Sequence, residues 1–107
     1  MDERVYQQLA DVALGRIERA LGDFDPDEVD CERAGDVLSL TFKGGRKCVI
    51  NTQRPTRQIW VAANARAWHF SYDETTSAWV SDKDGSVELF GQIASIVKDG
   101  SGASVTI

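Results

Sequence analysis

The sequence is poor in the residues from which most metal and nucleophile sites are built. It has one histidine, two cysteines, two prolines and one methionine among 107 residues. A single histidine excludes HExxH zincins and three-histidine zinc sites within one chain. Arg66 stands three residues before His69, so the Glu-x-x-His pair of a ferritin-type di-iron centre is missing. A Ser-His-Asp triad around His69 finds no GxSxG and no supporting context. Cys31 and Cys48 form no CxxC pair, and two isolated cysteines in a cytosolic chain read as free thiols packed in the core. No apolar run approaches the ~18 residues of a membrane span. The N-terminus lacks a basic stretch followed by an apolar one, and it is acidic where transit peptides are Arg-rich, so the chain reads as cytoplasmic.

Positive charge is scarce in the first third. Residues 1–32 hold ten acids and three bases, a balance of −7, whereas the remaining residues carry nine bases and seven acids, a balance of +2. Such an acidic segment repels phosphate and anionic lipid, so nucleic acid and membrane surfaces are excluded as its partners. Cations and basic patches on other proteins suit it better. The length fits one domain spanning residues 1–107, and the 42% hydrophobic and 27% charged content is that of a folded globular chain.

Apolar residues at spacings of three and four predict an amphipathic helix over 3–22: Tyr6, Leu9, Ala10, Ala13, Leu14, Ile17, Ala20, Leu21 and Phe24 form one stripe. Asp2 is the expected cap and Gly22 the expected stop. Gly15 falls on the polar face. An acidic loop follows over 23–28, and then six strand-like segments separated by turn signals: 29–33, 37–43, 46–52, 57–62, 67–72 and 78–81. Gly44-Gly45 reads as a tight hairpin turn. A second helix is expected after Asp84-Gly85, with Ser86 as its N-cap and Leu89, Phe90, Ile93, Ala94 and Val97 as its stripe. Short connections imply antiparallel pairing. The predicted fold class is α+β, a two-layer sandwich with both helices on one face of an antiparallel sheet of about six strands. The other sheet face meets water.

Alternation sorts the two faces. Leu38, Leu40 and Phe42 point together, as do Ile59 and Val61. Trp60 is then left on the wet face beside Gln58. An exposed tryptophan on an open sheet is an interaction candidate, because tryptophan is enriched in binding hot spots.

The stretch Asn51-Thr52-Gln53-Arg54-Pro55-Thr56-Arg57-Gln58-Ile59-Trp60 resembles the signature of the frataxin family. The first helix, Asp30-Cys31-Glu32, Trp68-His69-Phe70, Trp79 and the closing helix fall in the family's order, so the resemblance covers essentially the full length. Without a targeting extension, the chain is most similar to the bacterial branch. The resemblance implies a two-layer sandwich and an iron-binding regulator of iron–sulfur cluster assembly. It further implies docking on a cysteine desulfurase and contact with the assembly machinery. Two other functions stay open: a metal-independent adaptor, and an iron-handling protein for oxidation, storage or delivery. A monomer without enzymatic activity is expected.

The resemblance assigns iron to an acidic ridge, here Glu18, Asp23, Asp25, Asp27, Asp30 and Glu32, with Glu28 adjacent. Asp30 and Glu32, two apart on a strand, project to one side ~7 Å apart. Asp23, Asp25 and Asp27 alternate in a loop and can converge. Carboxylate oxygens suit Fe³⁺ and accept Fe²⁺, Mg²⁺, Ca²⁺ or Mn²⁺, so weak and poorly selective binding is expected. The ridge can equally be an electrostatic dock for a basic partner, or a solubilising surface. An EF-hand is excluded, since a loop starting at Asp23 would need glycine at Glu28 and glutamate at Ala34. Arg19 and Gly22 thin the ridge relative to the bacterial pattern, and Arg19 can pair with a neighbouring carboxylate. The ridge is expected to lie clear of the Trp60 face. On that face Asn51, Gln58 and Trp60 match family positions for partner docking, and His69, between Trp68 and Phe70, should point outward beside them.

Overall fold

The computed structural model describes all 107 residues. The elements run α1 (Glu3–Leu21), β1 (Val29–Ala34), β2 (Val37–Phe42), β3 (Lys47–Gln53), β4 (Gln58–Ala63), β5 (Arg66–Asp73), β6 (Ala78–Ser81) and α2 (Leu89–Ser101). The six strands form one antiparallel sheet in chain order, a meander. Each strand boundary lies within a residue of its sequence-based expectation. Tight turns make this possible. Gly35, Gly44 and Gly45 take positive φ at hairpin turns, where glycine avoids the steric penalty of a Cβ.

Helix α1 begins where Asp2 caps it, its carboxylate accepting from the Val5 N–H at 2.8 Å. Its stripe of Tyr6, Ala10, Ala13, Leu14, Ile17 and Leu21 is buried against the sheet. Phe24 belongs to that packing but lies beyond the helix end, half-buried in the following turn. Fully burying one large apolar side chain contributes about 1.5–3 kcal/mol, so this stripe holds the helix in place.

Helix α2 starts differently from expectation. Glu88, not Ser86, is the N-cap, and its carboxylate accepts from Phe90 N at 2.9 Å and Gly91 N at 3.1 Å. The reason lies in the sheet. Ser81 N–H donates to the Val87 carbonyl at 2.9 Å and Val80 bridges Glu88, so residues 87 and 88 are still extended beside β6. Ser86 serves the preceding turn instead, its N–H and hydroxyl both donating to Asp84 Oδ1. These two bonds hold the Asp84 carboxyl below its ordinary pKa. At the other end of α2, Gly102 adopts φ +78°, the left-handed cap that glycine favours. Two residues earlier, Gly100 lies against Phe42. A Cβ there would sit 2.5 Å from the ring, so the close approach of α2 to β2 requires glycine.

Register assigns the two faces. On the helix side, Leu38, Ile50 and Val61 lie opposite one another, as do Leu40 and Cys48, and all are buried. Both helices cover this side, and the opposite side is open. Tyr6 bolts the layers together. Its hydroxyl donates to the Gln58 carbonyl at 2.6 Å and accepts from Gln53 N–H at 3.0 Å, joining the end of β3 to the start of β4. Burial pushes the Tyr6 phenol pKa up. Cys48 is buried as expected, and burial raises its thiol pKa to about 12. Cys31, on edge strand β1, is only half-buried. Burial, followed by the charges of Glu18 and Asp30, raises it to about 11.

Candidate functional site: an acidic edge and an open sheet face

The ten acids of residues 1–32 do not form one cluster. The Arg33 guanidinium, on the helix side of β1, pairs with Asp11 and reaches Glu18 at 3.6 Å, both on α1. Lys43 pairs with Glu28 at 3.8 Å. Arg19 makes no ion pair; the strand supplies the cation that sequence reasoning had looked for on the helix. Gly15 lies half-buried beneath this contact, where a Cβ would stand 3.3 Å from Arg19 Nη1 and 3.9 Å from Arg33 Nη1. Exposed pairs of this kind contribute about 0–1 kcal/mol, so they shape the field more than the stability.

Asp23, Asp25 and Asp27 are exposed in the loop between α1 and β1. Asp25 organises that loop. Its Oδ1 accepts from Asp27 N at 2.9 Å, and its carbonyl accepts from Glu28 N and Val29 N. Asp30 and Glu32 lie on the open side of β1, opposite Thr41 and Ser39. The seven ridge acids are therefore spread over the helix flank, the loop and the open sheet face. No three His, Cys, Asp or Glu side chains of the chain are gathered as a metal-holding group.

This placement corrects one expectation. The ridge is not clear of the Trp60 face. Glu32, Ser39, Val49 and Ala62 follow one another across four strands, and Ala62 lies two residues beyond Trp60 on β4. Glu32 is thus in the row next to that of Trp60, three strand spacings or about 15 Å away.

The four open-face residues do come together. Asn51 is the cross-strand partner of Trp60, and Trp60 that of His69. The imidazole stacks on the indole with ring centroids 4.2 Å apart and planes 15° from parallel. The indole Nε1–H donates to Gln58 Oε1 at 2.9 Å, and Gln58 Nε2 donates to Ser71 Oγ at 3.1 Å. Val37 and Val49 on the same side are 38% and 36% exposed, an apolar fringe beside these residues. Beside His69 a groove of about 420 Å³ runs between the start of β5 and the loop after β6.

Two participants were absent from the sequence reading. Tyr6 carried only a helical stripe signal, and nothing in periodicity shows a hydroxyl bridging a hairpin. Asp82, 3.8 Å from His69 Nδ1, is brought there by the pairing of β6 with β5.

The structure is thus an α+β sandwich with one bare, tryptophan-bearing sheet face and an acidic flank. Residues 1–102 match the Frataxin-like domain family. The chain belongs to the frataxin-like family, in its bacterial CyaY branch. It is similar to the iron-sulfur cluster assembly protein CyaY of Pseudomonas aeruginosa, 39% identical over 93 residues that cover 87% of this chain and 83% of that protein. It is also similar to the protein of that name from Ralstonia nicotianae, 38% identical over 100% of this chain and 95% of that one. Among solved structures, frataxin from Psychromonas ingrahamii superposes with a TM-score of 0.88 at 28% identity, covering 98% of this chain and 96% of that one. Trimeric yeast frataxin complexed with ferrous iron gives a TM-score of 0.63 at 25% identity, covering 96% of this chain and 88% of that one. No helix of the chain is long and apolar enough to cross a membrane.

Proposed function

We propose that the chain is a cytoplasmic, iron-responsive regulator of iron–sulfur cluster assembly that docks on a cysteine desulfurase. The observation behind this reading is the continuity of two surfaces. A row of Asn51, Trp60 and His69 shares one open face with Asp30 and Glu32, and the loop acids Asp23, Asp25 and Asp27 border its β1 edge. Names borne by relatives, iron–sulfur cluster assembly and a ferrous complex among them, support the role and the cation.

The chemistry is electrostatic and apolar together. Asp2, Glu3, Asp23, Asp25, Asp27, Asp30 and Glu32 have no ion-pair partner, and their field would speed the approach of a basic surface. Trp60 and the valine fringe would then be desolvated at contact. Carboxylates alone give Fe²⁺ or Fe³⁺ weak, poorly selective binding, and other divalent ions compete. Bound cations would partly neutralise the acidic edge and so change docking. A metal-independent adaptor is the second reading. It is favoured by the division of the ridge and by Arg33 and Lys43, which neutralise Asp11, Glu18 and Glu28 from within.

One titration separates the readings. Desulfurase affinity is measured against salt and Fe²⁺, for the wild type and for reversal of Asp23, Asp25 and Asp27 to Lys. The regulator reading expects affinity to fall with salt, with Fe²⁺ and with charge reversal. Sensitivity to salt and reversal without any to Fe²⁺ selects the adaptor. Indifference to all three removes the acidic edge as a dock.

A further inference from the structure

We infer that Asp82 is a positioning residue for the Trp60 indole, and that it acts through Gln58 and His69. This rests on the reading of the open face as a docking surface only for its consequence, and not for its geometry. Four side chains close a ring. Trp60 Nε1–H donates to Gln58 Oε1 at 2.9 Å. The other end of the same amide, Nε2, lies 3.5 Å from Asp82 Oδ2 and donates to Ser71 Oγ at 3.1 Å. The same Asp82 oxygen lies 3.8 Å from His69 Nδ1. His69 stacks back on Trp60.

Donor and acceptor arithmetic gives the ring one orientation. An indole N–H only donates, and a carboxylate only accepts. Gln58 stands between them and can satisfy both in one way only, with Oε1 toward Trp60 and Nε2 toward Asp82. The flipped amide would set two donors against each other at the indole and two acceptors at the carboxylate. Ser71 can donate or accept, so it imposes no direction of its own. On the other arm, the carboxylate lies 3.8 Å from Nδ1 of His69, whose ring covers the indole. At 3.5 Å the Gln58 contact is a long hydrogen bond, and at 3.8 Å the His69 contact lies beyond one, so Asp82 works as the fixed acceptor that orients the Gln58 amide.

The carboxylate is well placed for this because its backbone is tied down. Asp82 N–H donates to the His69 carbonyl at 3.0 Å, one rung beyond the last pair of the β5–β6 ladder. The loop closes behind it through Ser81 N–H to Val87 O at 2.9 Å and Lys83 N–H to Ser81 Oγ at 3.2 Å. Of the other carboxylates in that loop, Asp84 is taken by Ser86. No Lys or Arg pairs with Asp82.

The test reads the indole directly. The chain has three tryptophans, so an amide-correlated NMR spectrum shows three indole N–H signals, and Trp68 and Trp79 serve as internal references. In Asp82→Ala the Trp60 signal should shift and exchange faster while the other two hold. Asp82→Asn, whose side-chain oxygen can still accept from Gln58, should restore the Trp60 signal toward its wild-type position. A Trp60 signal unmoved in Asp82→Ala overturns the inference, as does a shift shared equally by all three indoles or left unrescued by Asn. Desulfurase affinity is the second readout. Asp82→Ala should weaken it roughly three- to tenfold, with no further loss in a Trp60→Ala background. If the indole moves and affinity does not, the positioning role holds and the docking reading of the open face falls.

Discussion

The two faces of this sheet are made by the same strands and differ in what covers them. On the helix side, alternate residues of β2, β3 and β4 meet the stripes of α1 and α2 and are fully buried. On the open side, the intervening residues are half-buried at most, and their contacts are with one another. The tryptophans show the contrast best. Trp79 is 3% exposed and meets Tyr6 and Tyr72 edge-on, with centroids 6.0 and 5.3 Å away. Trp60 lies flat against one imidazole and keeps part of its surface in water. A large aromatic on the first face is a structural element. On the second it stays partly in water, packed on one side only.

The sharpest way to break this contrast is to delete both indoles. Trp79→Ala should cost about 3–5 kcal/mol in urea unfolding, and Trp60→Ala below about 1 kcal/mol. Equal losses would mean that the open face is as much a part of the core as the covered one. The second test squeezes the covered side. Gly100→Ala places a methyl against the Phe42 ring and should cost about 1–3 kcal/mol by forcing α2 off β2. A neutral result would show that the helix layer yields more readily than its packing suggests. The third test asks how dryness varies across the covered face. Cys48 in its centre is raised to about 12 and Cys31 at its edge to about 11, whereas an unfolded thiol titrates near 8.5. The folded state holds these protons more tightly. The contribution is therefore complete below about pH 8.5 and is lost as pH rises through 11 and then 12. Tyr6 acts in the same direction at alkaline pH. Between about pH 8 and pH 10 the wild type should lose more stability than a Cys31→Ala, Cys48→Val variant, measured by urea midpoints.

Much of this fold is legible in the sequence because its signals are local. Periodicity, the Gly44-Gly45 turn and strand alternation each act over a few residues, and they place the strands and the outward direction of Trp60 and His69. The frataxin resemblance adds the expectation that Asn51, Gln58 and Trp60 act together. What escapes depends on register between distant segments. Arg33 reads as one more strand residue, yet pairing across 22 positions makes it the counter-ion of Asp11. Glu32 reads as part of a separate ridge until three successive pairings bring it level with Ala62. Ser86 has the chemistry of a helix cap, but a sheet bond at Val87 keeps the chain extended past it. Local propensity supplies candidates in such places, and tertiary pairing chooses among them.

The meander has a consequence for how the molecule is made. Each strand pairs with the one synthesised just before it, so the sheet can be laid down hairpin by hairpin with little loop entropy to overcome. Its cover comes from both directions of the sequence. Helix α1 precedes every strand and α2 follows every one. While the chain grows, the part of the apolar side that α2 covers therefore stays bare until residues 89–101 emerge. During that interval the nascent chain shows two exposed faces, and only the Trp60 side stays uncovered once α2 is in place.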